Sequence, residues 1–324
     1  MREVWLFPEG ELPKSDKARV GRLASGQRGR ITRAQLIALG VQDRTVTNWA
    51  SSGYLYQELP HVFAVGSPAR SEESDLFAAV LYAGPYASLR AMTAALWRGL
   101  VKWRTQTAIE VSTPRRCRSL PAGHPSNHLH RAIEVRDRRP PQRWDYHGIP
   151  TVPTPNVVLG LAATKDVELV RFALAQLDFM RRLDVPRLEA VAGPGVPGSQ
   201  TLHEALANHQ PLLAKARSQF EIRLIQVCEL TDIPLPDLNG EIQGITPDAT
   251  WHDPMVIVQC DGEGNHGTWA QRKRDARQDQ ILRGLGFLVI RYTYEQLNDP
   301  WAIHADLMPI LEERAGRGAK RLSA

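Results

Sequence analysis

Acidic residues and a histidine in the segment GITPDATWHDPMVIVQCDGEGNHG, residues 244–267, have the chemistry of a hydrolytic site. Asp248 follows a proline, Asp261 lies on a glycine turn after a short apolar run, and His266 comes shortly afterwards. Phosphodiester hydrolysis requires a hard divalent cation held by oxygen ligands and a group that transfers a proton. The segment therefore predicts a metal-dependent site. The alternative is that the same residues belong to the turns of two strands joined as a hairpin.

The elements around this segment have an order that would bring its acids together. A helix carrying Glu221 comes first, and two strands follow that end near Asp248 and Asp261. A second helix, RKRDARQDQILRGLG, leads to the β-branched and aromatic run FLVIRYT, which is typical of a buried strand. This α-β-β-α-β order, with an acid on the first helix and acids at strand ends, predicts a restriction-endonuclease-like α/β core, the PD-(D/E)XK nuclease fold.

Each residue of the predicted cluster has a distinct expected role. Asp248 would be the principal ligand of Mg²⁺ or Mn²⁺, and the backbone carbonyl of Cys260 would be a second ligand. Glu221 would reach the site from its helix, directly or through water. His266 would act as base or acid, because an imidazole titrates near neutral pH. Taken singly, Glu221 also fits a favourable charge at a helix N-terminus.

The C-terminal region resembles the Vsr-like family, the very-short-patch repair endonucleases and their relatives, over about residues 217–300. The matching residues are Glu221, Asp248, Asp261 with Gly262, His266, Arg274 with Asp275, Asp279, and the final GFLVIRYTYEQL. The resemblance implies a DNA-cleaving domain in which Arg274 contacts DNA. One departure is Gln259, which stands where many relatives have Glu, while Asp261 stands in the place of the motif lysine. An amide oxygen can be a metal ligand but carries no charge, so weaker metal binding is expected.

The N-terminal region predicts a winged helix-turn-helix. TRAQLIALG has helical spacing after a capping Thr, VQDRTVTNWASSG follows a glycine, and YLYQELPHVFAVG has the pattern of a small hairpin. On the second helix, Val46 and Trp49 would pack inward. Its exposed polar face would then bind the major groove of duplex DNA through Arg44, Thr45, Thr47 and Asn48. The alternative is a small helical domain that binds no DNA.

Residues 24–66 resemble the N-terminal domain of the AbiEi family, antitoxins of abortive-infection systems. The stretches ASLRAMTAALWRGL and GIPTVPTPNVVLGLAA, further along the chain, are similar to the middle part of longer members. The resemblance implies a module that binds an operator or docks on DNA. It does not by itself imply an antitoxin.

The whole chain of 324 residues is long enough for several α/β domains. The uncharged segment VAGPGVPGSQ, residues 191–200, predicts a linker. The expected domains are a winged helix-turn-helix over 1–70, a basic α+β middle region over 71–192, and the nuclease-like domain over 201–315. Residues 1–192 carry an excess of Lys and Arg, whereas residues 193–324 carry an excess of Asp and Glu. Electrostatic affinity for nucleic acid would therefore come mainly from the first two domains.

The sequence favours a metal-dependent DNA endonuclease or nickase, plausible in phage defence or a toxin-antitoxin context. The alternative is a DNA-binding autorepressor or antitoxin whose nuclease fold has lost catalysis. Expected partners are double-stranded DNA and a cognate toxin or defence protein, with no membrane association, because no apolar run reaches the length of a membrane span. The N-terminus lacks the apolar region of a secretory signal, and the cysteines have no paired spacing, so a cytoplasmic location with reduced thiols is expected.

Overall fold

The structure is a computed structural model that describes residues 15–102, 108–136, 144–260 and 269–322. It divides into two compact units, Met1–His209 and Gln210–Ala324. Each unit combines helices with β-sheet, so the predicted α/β class is confirmed at that level. Within the described ranges, no helix is both long enough and apolar enough to cross a membrane.

The described part of the first unit is built from short helices and two sheets. Its helices are α1 (Asp16–Ser25), α2 (Arg33–Ala38), α3 (Asp43–Ser51), α4 (Glu72–Ala83), α5 (Ala91–Trp97), α6 (Thr154–Ala162), α7 (Val167–Phe179), α8 (Val185–Val191) and α9 (Ser199–Ala207). Its strands are β1 (Arg30–Thr32), β2 (Leu55–Leu59), β3 (Val62–Val65), β4 (Ser88–Leu89), β5 (Ala108–Ser112), β6 (Ala132–Val135), β7 (Trp144–Tyr146) and β8 (Ile149–Thr151). The sheets have the strand orders β1-β3-β2 and β6-β5-β4-β8-β7.

The smaller sheet and helices α1 to α3 share an apolar core. Thr32 begins α2 with a capping box: its hydroxyl accepts from the Gln35 N–H at 3.1 Å, and Gln35 Oε1 accepts from the Thr32 N–H at 2.9 Å. Gly40, with φ +86°, makes the turn between α2 and α3. The buried members of this core are Val20, Ile31, Leu36, Val41, Val46, Leu55 and Phe63. The two short helices, the glycine turn and the hairpin predicted for this segment are all present.

A buried ion pair joins the hairpin to the first strand. Arg30 on β1 donates from Nε to Glu58 Oε2 at 2.9 Å and from Nη2 to Glu58 Oε1 at 2.5 Å. The two side chains are 5% and 6% exposed. Arg30 also donates to the backbone carbonyls of Arg28 and Ala69. These bonds satisfy a guanidinium that has little access to water, and they link β1, β2 and the chain that follows the hairpin.

A larger apolar core packs helices α4 to α9 against the five-stranded sheet. Leu59 and Val62 of the β2–β3 hairpin are buried in this same core. The hairpin therefore packs on the region that follows it. Residues 1–209 accordingly form one unit, whereas the sequence predicted separate domains over 1–70 and 71–192.

The segment predicted as a linker, residues 191–200, lies inside the first unit. It connects α8 to α9, and α9 packs on α6 and α7 with Leu202 and Ala205 buried. Gly198 has φ +90°, and a Cβ at this position would come within 2.6 Å of the Ala163 backbone nitrogen. The glycine therefore allows a close backbone approach within the core. The division between units comes instead after His209.

The second unit has one described sheet and three long helices. Its elements are α10 (Gln219–Thr231), β9 (Asp237–Leu238), β10 (Ala249–Trp251), β11 (Val256–Cys260), α11 (Trp269–Gly284), β12 (Leu288–Tyr292) and α12 (Pro300–Leu322), with short 3₁₀ turns at Pro211–Lys215 and Gln296–Asn298. The strand order is β12-β11-β10-β9. β10 and β11 pair antiparallel, and β12 pairs parallel to β11 after the crossover through α11. The elements thus occur in the predicted order, with β9 as a short additional strand.

The two faces of this sheet contact different helices. On one face, Ile257 and Val289 pack with Leu282 of α11 and with Ile245. Side chains alternate between faces along a strand, so Gln259 and Arg291, two residues further along β11 and β12, lie on the same face. Tyr292 lies on the opposite face, where its hydroxyl donates a hydrogen bond to the Asp306 carboxylate of α12. The α11 face is therefore the one that carries the candidate site.

Candidate functional site

Asp248 is held against the end of β11. It precedes β10, and its Oδ2 accepts a hydrogen bond of 2.7 Å from the backbone N–H of Cys260. The antiparallel register pairs Ala249 with Val258, so Asp248 comes opposite Gln259 when the register is continued by one residue. The structure therefore brings together Asp248, Gln259 and Cys260, the three residues that were predicted as metal ligands.

The carboxyl group of Asp248 has a raised pKa. Burial is the largest cause, and the negative charge of Glu221 raises the pKa further. The Cys260 N–H and the positive charge of Arg291 lower it. A carboxylate that is desolvated and close to a second carboxylate favours a proton or a cation as its partner. This is the electrostatic setting expected of a cation ligand.

Glu221 is buried and its carboxylate has several donors. The side chain accepts from the Arg217 N–H at 2.8 Å, from Ser218 Oγ at 2.9 Å and from Asn239 Nδ2 at 2.6 Å. Ser218 caps the same helix, because its Oγ accepts from the Glu221 N–H at 3.2 Å. Glu221 therefore closes the first turn of α10 as the alternative interpretation supposed, and it also lies within electrostatic range of Asp248.

Arg291 is a site residue that sequence reasoning missed. It is paired in register with Gln259, and its guanidinium donates to Asp279 of α11, with Nη2 2.9 Å from Oδ1 and Nε 3.4 Å from Oδ2. A signal was present in the sequence, because Arg291 is a charged residue inside the otherwise apolar and aromatic run FLVIRY. Asn239 was missed as well, and no local pattern marks it as a partner of Glu221.

Part of the predicted cluster lies outside the described residues. Asp261 and His266 belong to the range 261–268, for which the structure gives no description. Arg274, predicted to contact DNA, and Asp275 are exposed on α11. Among the residues that the structure does describe, no three His, Cys, Asp or Glu side chains are grouped so as to hold a metal ion. The described donors are two carboxylates, an amide and the Cys260 carbonyl, which are the hard oxygen ligands that Mg²⁺ and Mn²⁺ take.

The residues predicted to bind DNA lie on one helix of the first unit. On α3, Arg44, Thr47 and Asn48 are exposed and Thr45 is half-buried. Val46 is fully buried, and Trp49 packs on the core in an edge contact with Tyr54, with ring centroids 5.0 Å apart. Val46 and Trp49 therefore face inward as predicted, whereas Thr45 is less exposed than predicted. The hydroxyl of Thr47 bonds to a carbonyl of its own helix, Asp43 O, at 3.3 Å.

Comparison with known proteins leaves the family of the chain open. No protein-family model and no curated protein matches it. The crystal structure of the RV2827C protein from Mycobacterium tuberculosis is similar over 64% of this chain and 82% of its own, with 18% sequence identity and a TM-score of 0.37. A likeness at this level carries no argument about function, so the resemblances to AbiEi and Vsr-like proteins stay predictions.

Proposed function

We propose that this protein is a metal-dependent DNA endonuclease or nickase. The observation that carries the proposal is the juxtaposition of Asp248 with the end of β11, where it bonds to Cys260 and lies within electrostatic range of the buried Glu221. Two carboxylates placed at strand and helix ends of an α-β-β-α-β unit match the layout that the sequence predicted for a restriction-endonuclease-like core.

The donor set suits Mg²⁺ or Mn²⁺, held by Asp248 and by the Cys260 carbonyl, with Glu221 binding directly or through water. When bound, such an ion polarises the scissile phosphate and lowers the pKa of a water nucleophile. The N–H of Cys260 fixes one oxygen of Asp248, so the other carboxylate oxygen can turn toward a ligand. Glu221 is held at both carboxylate oxygens, by Ser218 at Oε1 and by Asn239 and the Arg217 N–H at Oε2.

The first unit would supply the affinity for DNA. Helices α2 and α3, the tight turn between them and the β2–β3 hairpin support a winged helix-turn-helix, in which α3 enters the major groove. Arg44 would neutralise a phosphate or bind a guanine, and Asn48 has the amide that suits adenine. The excess of Lys and Arg in residues 1–192 favours the same surface for nonspecific attraction to the duplex.

A plasmid assay tests the proposal. Supercoiled plasmid is incubated with the full chain and Mg²⁺ or Mn²⁺, beside an EDTA control, and nicked and linear forms are separated on a gel. Asp248→Asn should abolish cleavage. Asp253→Asn is the matched control, because Asp253 is exposed on the turn of the same β10–β11 hairpin, and it should cleave like wild type. Nicking that persists in Asp248→Asn at wild-type rate would remove the proposed site.

A second candidate function is a DNA-binding autorepressor or antitoxin in which the nuclease fold is a scaffold. Two observations favour it: Gln259 brings no charge to the site, and the Glu221 carboxylate already has donors that account for its burial. The protein would then bind a repeat upstream of its own gene and, beside a toxin gene, pair with that toxin. A gel-shift assay at physiological salt tests this second function. Selective binding of the upstream fragment over unrelated DNA supports repression, and equal binding of the two DNAs contradicts it.

A further inference from the structure

The first unit has a pocket beside helix α2. Its volume is about 210 Å³. Residues of α1, of α2 and its N-cap, of α4 and the turn after it, and of the segment after β5 line it: Leu23, Thr32, Ala34, Gln35, Ala38, Leu39, Leu81, Gly84, Pro85 and Arg115. All of them belong to the first unit, whereas the candidate cation site belongs to the second. The pocket is therefore a separate site.

Most of the pocket wall is apolar, and its polar part is held in place. Leucine, alanine and proline side chains form the apolar part. Thr32 and Gln35 belong to the capping box of α2, and Gln35 also exchanges amide hydrogen bonds of 2.7 Å and 3.2 Å with Gln27. An apolar cavity of about 150 Å³ is enough to hold one benzene ring. The pocket therefore has room for a single ring and a short polar group.

Arg115 is the charged residue among those that line the pocket. Its side chain lies over Gly84, with Cδ 3.6 Å and Nη1 3.8 Å from the position that a Cβ on this glycine would take. Within the described ranges, the Arg115 guanidinium has neither an ion pair nor a hydrogen bond, and the residue is exposed. Its N–H groups are therefore available to a ligand. A guanidinium binds a carboxylate through two parallel N–H···O bonds.

We propose that this pocket binds a small aromatic monocarboxylate. The ring packs against the apolar wall, which includes Leu39 of α2 and Leu81 of α4, and the carboxylate pairs with Arg115. One guanidinium in the lining, with no Asp or Glu beside it there, matches a ligand with a single negative charge. The volume excludes a folded partner and favours a molecule of about one ring.

Ligand-observed NMR titrations of the full chain test this site, with EDTA present so that no metal ion captures a carboxylate. Phenylacetate should bind saturably with a Kd of about 1 mM or tighter, an affinity within reach of a ligand of this size. Phenylacetamide has the same shape without the charge, and acetate has the charge without the ring. Each should bind at least about fivefold more weakly than phenylacetate, because each lacks one of the two contacts.

Two variants assign the binding to this pocket. Arg115→Gln should weaken phenylacetate binding about fivefold, to the level of phenylacetamide. Its matched control is Arg116→Gln, because Arg116 is exposed and does not line the pocket. Ala38→Phe should abolish binding, because the added ring fills the space, and Ala38 is exposed, so the core stays intact. Ala50→Phe is the control for this change, since Ala50 is an exposed alanine of α3 outside the lining.

Three results would overturn the inference. The first is the absence of saturable phenylacetate binding up to about 20 mM. The second is a wild type that binds phenylacetate no more tightly than phenylacetamide or acetate, a comparison that needs no variant. The third is undiminished binding in Ala38→Phe. Plasmid cleavage enters none of these measurements, so failure of the nuclease proposal and failure of this binding site are distinguishable.

Discussion

Replacing Glu58 with glutamine should strongly destabilise the first unit. Glu58 is the anion for Arg30, and both side chains are nearly inaccessible to water. Glutamine has almost the same shape, but its amide carries no charge and places an NH₂ donor where one of the two oxygens accepted a hydrogen bond from Arg30. The substitution therefore leaves a buried guanidinium without a counter-charge, with the single amide oxygen of glutamine and the backbone carbonyls of Arg28 and Ala69 as its remaining acceptors.

The size of the effect follows from the burial of this pair. Removing one partner of a buried ion pair costs about 3–5 kcal/mol, because the other charge stays desolvated without compensation. For a unit of this length, that corresponds to a fall in Tm of about 6–20 °C. Replacing both partners with apolar residues, Arg30→Met with Glu58→Leu, should restore most of the stability, since no unpaired charge remains.

Calorimetric melting of the full chain measures this change directly. Glu134→Gln is the matched control, because Glu134 forms an ion pair with Arg136 in which the two side chains are 36% and 62% exposed. An exposed pair contributes at most about 1 kcal/mol, so this variant should melt close to wild type. A Glu58→Gln protein that melts within the range of the Glu134→Gln control would refute the reasoning, and so would a double variant no more stable than Glu58→Gln.

Three further changes have expected outcomes. Gly198→Ala should lower the free energy of unfolding by more than about 2 kcal/mol in calorimetric melting, because the left-handed backbone and the contact with Ala163 both oppose a Cβ. Gly195→Ala is the control: its backbone is also left-handed but no atom is close to the new Cβ, so only the backbone strain of about 1–2 kcal/mol should be lost. Arg44→Gln should weaken binding to duplex DNA and reduce the slope of log K against log salt by about 0.9 in fluorescence anisotropy titrations. Asp248→Asn should raise the metal-free Tm at neutral pH. Because the folded state raises the pKa of Asp248, the stability of the wild type falls as the pH rises from the unfolded value of about 3.9 through the folded-state pKa. Asparagine does not titrate, so the variant lacks this loss of stability.

The sequence predicted local features of the first unit well and its boundaries poorly. The faces of α3 follow from apolar spacing alone, so Val46 and Asn48 lie where the pattern placed them. The stretch 191–200 was misread because glycine and proline indicate irregular backbone, and they do not indicate whether that backbone is packed. Gly198 lies in a core contact that depends on α6, which is distant in sequence. Composition carries no information about such a contact.

The candidate site also has one part that the sequence predicted and one part that it did not. Spacing along the chain placed Asp248 near the end of β11, because strand ends in a hairpin are neighbours by construction. The partners that tune the site come from other elements: Asn239 reaches Glu221, and Asp279 on α11 holds Arg291 on β12. These contacts depend on strand register and on how a helix packs over the sheet. A local sequence pattern predicts neither the strand register nor the packing of the helix.

The energetics of Asp248 and Glu221 bear on both candidate functions. A desolvated carboxylate beside a second buried carboxylate opposes folding, and the Cys260 N–H and Arg291 offset this only in part, because the pKa of Asp248 remains raised. A divalent cation would relieve the repulsion, so metal binding and stability must be linked wherever the cation binds the folded state alone. At a hundredfold excess over its Kd, such a cation adds about 2.7 kcal/mol to the free energy of unfolding. A scaffold that has lost its metal site gains nothing from Mn²⁺, so melting with and without Mn²⁺ tests whether these carboxylates bind a cation, which the nuclease proposal requires.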